Sequence, residues 1–223
     1  MTKKSPEKFK VYKNVFDNFT LRSMFELESK HWFDEESLVP ISIGKESNVF
    51  WGIGKQGDCV LKIYRLENCD FNRMYDYIKY DPRFLELKKN RRKVIFAWGQ
   101  REYRNLLIAR EAGVSAPMPY AIVNNVLIME MVGKEEPAPK LKDLPPQNPE
   151  KFCAEVMKNV KRLYDAGYVH GDLSHFNILN DNERPVLIDF SSCTSLKNPN
   201  AKEFYERDLK NVNNFFTKLK RSD

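Results

Sequence analysis

Two short segments in the last third of the chain constrain it more than anything else in the sequence. Residues 169–179, V-H-G-D-L-S-H-F-N-I-L, set Asp172 and Asn177 in a polar loop between strand-like residues. Residues 186–191, V-L-I-D-F-S, bury an apolar strand and leave the carboxylate of Asp189 at its end. Either segment alone reads as a polar turn or a helix cap. In this order they make a set: one carboxylate to orient a nucleophile and take its proton, with a neutral amide oxygen and a second carboxylate for a hard cation. Phosphoryl transfer asks for little more covalent work from a protein. Asp172 is then the base, and Asn177 and Asp189 are the ligands of Mg²⁺ or Mn²⁺.

Upstream residues supply the remaining parts of that machinery. The first segment matches the kinase catalytic-loop frame H-x-D-x-x-x-x-N, and S-I-G-K-E-S-N-V at 42–49 lies on the glycine-rich frame G-x-G-x-x-G-x-V. Ser42 and Ser47 replace two glycines while Gly44 and Val49 are kept, which predicts a stiffer phosphate loop; Lys45 belongs to the same loop. The string is not a Walker loop, because Val39 stands where the first glycine should be and Glu46 where the Ser/Thr should be. Cys59-Val60-Leu61-Lys62 matches the V-A-I-K strand, where a lysine neutralises the α- and β-phosphates of ATP and is held by a helix glutamate; Glu102 is preferred to Glu111 for that partner. The frame puts Met129 at the back of an adenine pocket and the backbone of Glu130 and Val132 at the adenine edge. His170 orders the catalytic loop by hydrogen bonding, whereas His31 and His175 are ordinary surface or packing residues.

The rest of the sequence is consistent with one soluble α+β domain of two lobes. Its 37 Lys+Arg against 31 Asp+Glu give a net charge of +6, which favours polyanionic partners such as nucleotides or RNA. Cys59, Cys69, Cys153 and Cys193 form no C-x-x-C pair, which argues against a zinc site or disulfide framework and for a reducing compartment. No stretch reads as a signal peptide or membrane span, so the expected location is cytoplasmic. Phe16, Leu21, Met24, Phe25 and Leu27 predict a packing helix within an N-terminal segment, 1–38. An N-lobe over 39–132 follows, with two or three antiparallel strands, a partly mobile insertion at about 68–92 and a helix from Val94 to Ala112. The proline-rich linker after 132 marks the lobe boundary, and 133–223 forms a C-lobe. There Asn148 and Pro149 open a helix, Y-V-H and V-L-I-D-F are strands with a polar loop between them, and a last helix runs from about Ala201 to Leu219.

Taken together, S-I-G-K-E-S-N-V, V-L-K-I-Y-R, R-E-Y-R-N-L, L-I-M-E-M-V-G, H-G-D-L-S-H-F-N-I-L and L-I-D-F-S-S resemble the RIO atypical kinases from about Val39 to Phe216. The segments F-N-R-M-Y-D-Y-I-K-Y-D-P-R-F and N-P-N-A-K-E-F-Y-E-R-D-L-K-N-V-N-N-F-F are most similar to the Rio-one branch, and a bare core of this size resembles its archaeal members. The resemblance implies a kinase fold with a reduced C-lobe, without an activation loop or A-P-E motif; Ser191 replaces the D-F-G glycine, and Ser174 replaces the usual catalytic-loop lysine. It further implies serine/threonine kinase, autophosphorylating and ATPase activity, a transient phosphate on Asp189, and work on the pre-ribosomal small subunit and its rRNA, with no membrane or DNA partner. Two rivals share some of the motifs. A small-molecule kinase of the aminoglycoside or choline type also carries H-G-D-L-x-x-x-N, and a nucleotide-switched ribosome-assembly factor would use the basic run Lys88, Lys89, Arg91, Arg92 and Lys93 on RNA phosphates.

Overall fold

Alternating apolar residues after Leu38 give three antiparallel strands, β1 (Val39–Ile43), β2 (Ser47–Gly54) and β3 (Gly57–Tyr64). With β4 (Pro119–Val123) and β5 (Val126–Glu130) they form a five-stranded sheet in the order β1-β2-β3-β5-β4. The computed structural model describes residues 16–67 and 69–219; the first fifteen residues of the N-terminal segment, Asn68 and the last four residues lie outside them. Cys59, Leu61, Ile63, Val126 and Ile128 pack on Met24 and Leu27 of helix α1 (Asn18–Ser29), whose first N–H groups are capped by the Asp17 carboxylate. Because strand side chains alternate, Lys62 projects from the opposite face of β3.

Residues 69–90 differ from the expected mobile insertion. They carry helix α2 (Phe71–Ile78), capped by Asp70, and a 3-10 turn at Pro82–Phe84, capped by Asp81. Met74 and Ile78, one turn apart, are buried against Val94, Ile95 and Trp98 of helix α3 (Arg91–Glu111). Two core residues among charged and aromatic neighbours are too few to show a period in the sequence. α3 starts three residues before the expected Val94, capped by Asn90, so Arg91, Arg92 and Lys93 make its first turn.

The second half contains helix α4 (Pro149–Asp165), strands β6 (Tyr168–Val169), β7 (Ile178–Asp181), β8 (Arg184–Leu187) and β9 (Thr194–Ser195), and helix α5 (Ala201–Leu219). Asn148 caps α4, with Pro149 in its first turn. β7 was not expected: I-L-N-D pairs residue for residue with β8 through a two-residue turn at Asn182 and Glu183, both with positive φ (50° and 67°). That is the twist a tight hairpin needs, here made without the Asn-Gly that announces it. β8 stops at Leu187, two residues short of Asp189.

Leu106 and Ala109 of α3, Leu127 and Met129 of β5, Phe152 and Val156 of α4, Leu187, and Val212 and Phe216 of α5 belong to one buried cluster. The two lobes thus share a core. Leu141, in the linker expected to pack little, is buried in the same cluster. Among the described residues no helix is long and apolar enough to cross a membrane.

Candidate active site

The charged groups of the site gather where the sheet meets the second half. Lys62 is nearly buried, 8% exposed, and its ammonium lies 3.0 and 2.9 Å from the two oxygens of Glu102 and 2.9 Å from Asp189 Oδ1. Burial pulls the Lys62 ammonium down, but the carboxylates of Asp189 and Glu102 outweigh it and hold the group above its usual range. Glu102 is itself pushed up to about 7 by burial, against the pull of Lys62. For Asp189 burial is overcome by Lys62 and by the Ser191 hydroxyl, which donates to Oδ1 at 2.7 Å, so this carboxyl stays well below its ordinary range. Glu111 sits at the far end of α3, exposed.

Asp189 reaches this position through a left-handed backbone, φ 63° and ψ 68°. Such a conformation in a non-glycine residue persists only where its surroundings hold it. Arg101 of α3, fully buried, donates to the carbonyls of Ser191 and Cys193 at 2.8 Å each and to Asp81 Oδ2 at 3.2 Å. Asn105 Nδ2 donates to the Phe190 and Cys193 carbonyls at 2.8 and 2.9 Å. The turn after the aspartate is therefore fastened to the helix that carries Glu102.

On the other wall Asn177 donates its amide nitrogen to the Asp172 carbonyl, 2.8 Å, and to Asp172 Oδ2, 3.3 Å. Its carbonyl oxygen is thereby the end that can face a cation. With the Asp189 carboxylate it makes an oxygen donor set, which suits Mg²⁺ and does not suit zinc. Asp172 is half exposed; burial and then Asp189 raise it above its usual range, against the guanidinium groups of Arg73 and Arg207. His170 Nε2 lies 3.1 Å from the Ile188 carbonyl, and burial pulls the ring down to about 4. The ring is neutral, so Nε2 carries the proton and donates it to that carbonyl. His175 stacks on Phe215 with ring centroids 4.9 Å apart, and His31 is exposed.

The catalytic loop has a second anchor that the motifs did not reveal. Asp208 of α5, 2% exposed, accepts the N–H groups of Gly171 and Leu173 at 2.7 and 2.8 Å, while Arg207 donates to the Gly171 carbonyl and Asn211 to the Leu173 carbonyl at 3.1 Å. Gly171 has φ 79°, and a Cβ there would meet the Ser192 carbonyl at 2.8 Å. The available sign was a carboxylate on the buried stripe of α5, between Phe204 and Val212. Arg101 and Asn105 interrupt the buried stripe of α3 in the same way.

Ser42 pairs with Val49 across the β1–β2 hairpin, and the Gly44 N–H donates to the Ser47 carbonyl at 3.0 Å, closing a turn that carries Lys45 and Glu46. Arg65 ties the turn down by donating to the Gly44 carbonyl at 3.2 Å. Met129 is buried beside Val60. The Glu130 N–H is used by the Met118 carbonyl at 2.8 Å and the Val132 carbonyl by the Ala138 N–H at 2.7 Å, so a base edge must be met by the other backbone group of each.

The family model described as the RIO domain matches residues 48–223. The RIO-type serine/threonine-protein kinase Rio1 of Haloferax volcanii is 39% identical over 97% of this chain and 75% of its own length. Its namesake from Methanocaldococcus jannaschii is 40% identical over 94% and 72%. A solved Rio2 kinase–ADP/Mg²⁺–phosphoaspartate complex from Chaetomium thermophilum superimposes with a TM-score of 0.67 at 23% identity, covering 88% of this chain and 59% of that one, a likeness of fold.

Proposed function

We propose, starting from the fact that the chain belongs to the RIO kinase family, that this serine/threonine-protein kinase binds ATP with Mg²⁺ in the cleft and passes the γ-phosphate through Asp189. The observation that carries the reading is the ion triad: Lys62 is held between Glu102 and Asp189 at 2.9 to 3.0 Å, ready to meet phosphate oxygens, and Asp172 lies near enough to Asp189 for the two carboxylates to act on each other. Gly44, Lys45 and Ser47 cover the phosphates, Val49 and Met129 border the base, and Glu130 and Val132 meet its edge. Asn177 and Asp189 would hold Mg²⁺, which would supply charge neutralisation at the phosphates. Family membership sets aside the aminoglycoside or choline kinase reading.

A carboxylate aligned with the γ-phosphorus is a competent nucleophile. One Asp189 oxygen forms the new P–O bond as the bond to ADP breaks, and water later releases inorganic phosphate from the acyl phosphate. Ser191, where a glycine is usual in this position, holds Oδ1 and leaves Oδ2 to attack. The Chaetomium Rio2 complex contains a phosphoaspartate, which supports the same chemistry here. Autophosphorylation on serine is the competing destination for the label. After one turnover with γ-labelled ATP, half the protein is treated with hydroxylamine, which cleaves an acyl phosphate and spares a serine phosphate. Loss of the label is expected; complete retention would leave Asp189 as a metal ligand only. The cellular setting is proposed to be maturation of the small ribosomal subunit in the cytoplasm, supported by the family and by the basic run that leads into α3.

A further inference from the structure

The catalytic loop lacks a cation where phosphoryl transfer needs one. Charge spreads over three equatorial oxygens in the transition state, and kinases and NTPases meet it with metal and with a lysine or arginine. Here Lys62 is committed to Glu102 and Asp189 on the donor side, and the loop position that usually carries lysine is Ser174. Two guanidinium groups act on the Asp172 carboxylate. That of Arg207 is already bound to the Gly171 carbonyl and lies 3.5 Å from the Tyr77 hydroxyl. The other, Arg73, comes from α2: it lies 4.0 Å from Asp172 Oδ1 and 3.9 Å from Glu46 Oε1 in the β1–β2 turn. It therefore stands between the phosphate loop and the base, with its side chain half exposed and, among the described residues, in no tighter ion pair.

α2 is fixed well enough to aim that side chain. Asp70 caps it through the Arg73 N–H at 3.1 Å, Met74 and Ile78 bury its inner face on α3, and Tyr77 stacks on Phe204 of α5 with centroids 5.1 Å apart. The helix thus bridges the two halves beside Asp172. Held at about 4 Å, loosely enough to exchange partners, the guanidinium can leave two carboxylates for phosphate oxygens, with which it makes stronger bidentate bonds.

We propose that Arg73 is a catalytic residue that binds the transferring phosphoryl group in cis, replacing the missing catalytic-loop lysine. This rests on the ATP-dependent reading above. The test uses the whole protein with Arg73→Ala and Arg73→Lys, and reads two things: turnover of Mg-ATP, and the affinity for a non-hydrolysable ATP analogue against that for ADP. Arg73→Ala should lower kcat by roughly 10- to 1,000-fold and reduce the analogue's affinity while leaving ADP affinity unchanged; Arg73→Lys should recover part of both. An unchanged kcat and an unchanged analogue-to-ADP ratio would overturn the proposal. A rise in turnover would also overturn it, making Arg73 a plug over Asp172. If the wild-type protein binds neither nucleotide, it is the ATP-dependent reading that fails, which the Arg73 comparison cannot mimic. Arg73 is half exposed, so melting temperatures close to wild type will show that the variants are folded.

Discussion

Asp172 accepts from Asn177 and lies 4.0 Å from Arg73, but among the described residues it forms no ion pair with Lys62, and as the proposed base it acts on the chemical step. Asp172→Asn should abolish nearly all turnover with nucleotide affinity unchanged, because a lost base lowers kcat and not ground-state binding. Steady-state kinetics beside an ATP titration decide it, and an unchanged kcat would remove Asp172 from the mechanism. His170 makes a different residue-scale prediction. Its folded value of about 4 lies below the 6.5 of the free side chain. Below pH 6.5 the unfolded chain takes up a proton that the folded one refuses until about 4, so stability falls as the pH drops through that window. The effect approaches roughly 3 kcal/mol at its acid end. Denaturant unfolding at about pH 7 and about pH 4 should show a smaller loss for His170→Gln than for wild type; equal losses would mean the ring is not held neutral.

At the scale of elements, α5 matters more than a packing helix should. The Asp208 carboxylate holds two N–H groups on either side of Asp172, and Arg207 and Asn211 take the neighbouring carbonyls. Asp208→Asn keeps the shape and one acceptor oxygen but loses the charge and one of the two bonds. Bonds to a charged group contribute about 1.5–3 kcal/mol each, so the variant should lose on the order of 2 kcal/mol and loosen the loop. Turnover should fall by at least about tenfold while ATP affinity holds, since Asp208 is one layer behind the site. A variant as active as wild type, measured by kcat with folded protein, would reduce Asp208 to a structural cap.

Across the whole molecule the net charge of +6 is unevenly used. Arg91 donates to the carbonyls of Leu66 and Glu67 and so serves the fold. Lys88, Lys89, Arg92 and Lys93 are exposed at the N-terminus of α3, where positive charge opposes the helix dipole. Arg92 lies over Phe19 and Lys89 over Phe71 and Tyr75, so cations and aromatic rings share one face. If this face meets rRNA, neutralising Lys88, Lys89, Arg92 and Lys93 should weaken RNA binding and flatten its salt dependence by up to about one log unit per lost phosphate contact, with ATP affinity unchanged. Binding isotherms over a salt series check it; identical slopes would leave the run as a solvated face.

The grouping of Lys62 with Glu102 and Asp189, and of Asp172 with Asn177, was legible in the sequence because kinase frames set those residue types at fixed spacings along strands and turns. The helices α1, α4 and α5 and the strands β1 to β3 were legible for a similar reason: their apolar periods and caps are local. Helix α3 and strands β6 and β8 were legible too, whereas α2, β7 and the contacts across the site were decided by the tertiary structure. α2 has too little apolar surface to stand by itself, and it exists because α3 and α5 bury Met74, Ile78 and Tyr77. β7 needs β8 as its partner. Glu102 was preferred to Glu111 in the sequence, and the packing of α3 against β3 puts it on Lys62; the left-handed Asp189 depends on Arg101 and Asn105 reaching across from that helix. Arg73 and Asp208 reach Asp172 from elements about 100 residues before it and over 30 after it. Contacts between groups so distant along the chain leave no period and no motif, only polar residues placed where a helix would otherwise be apolar.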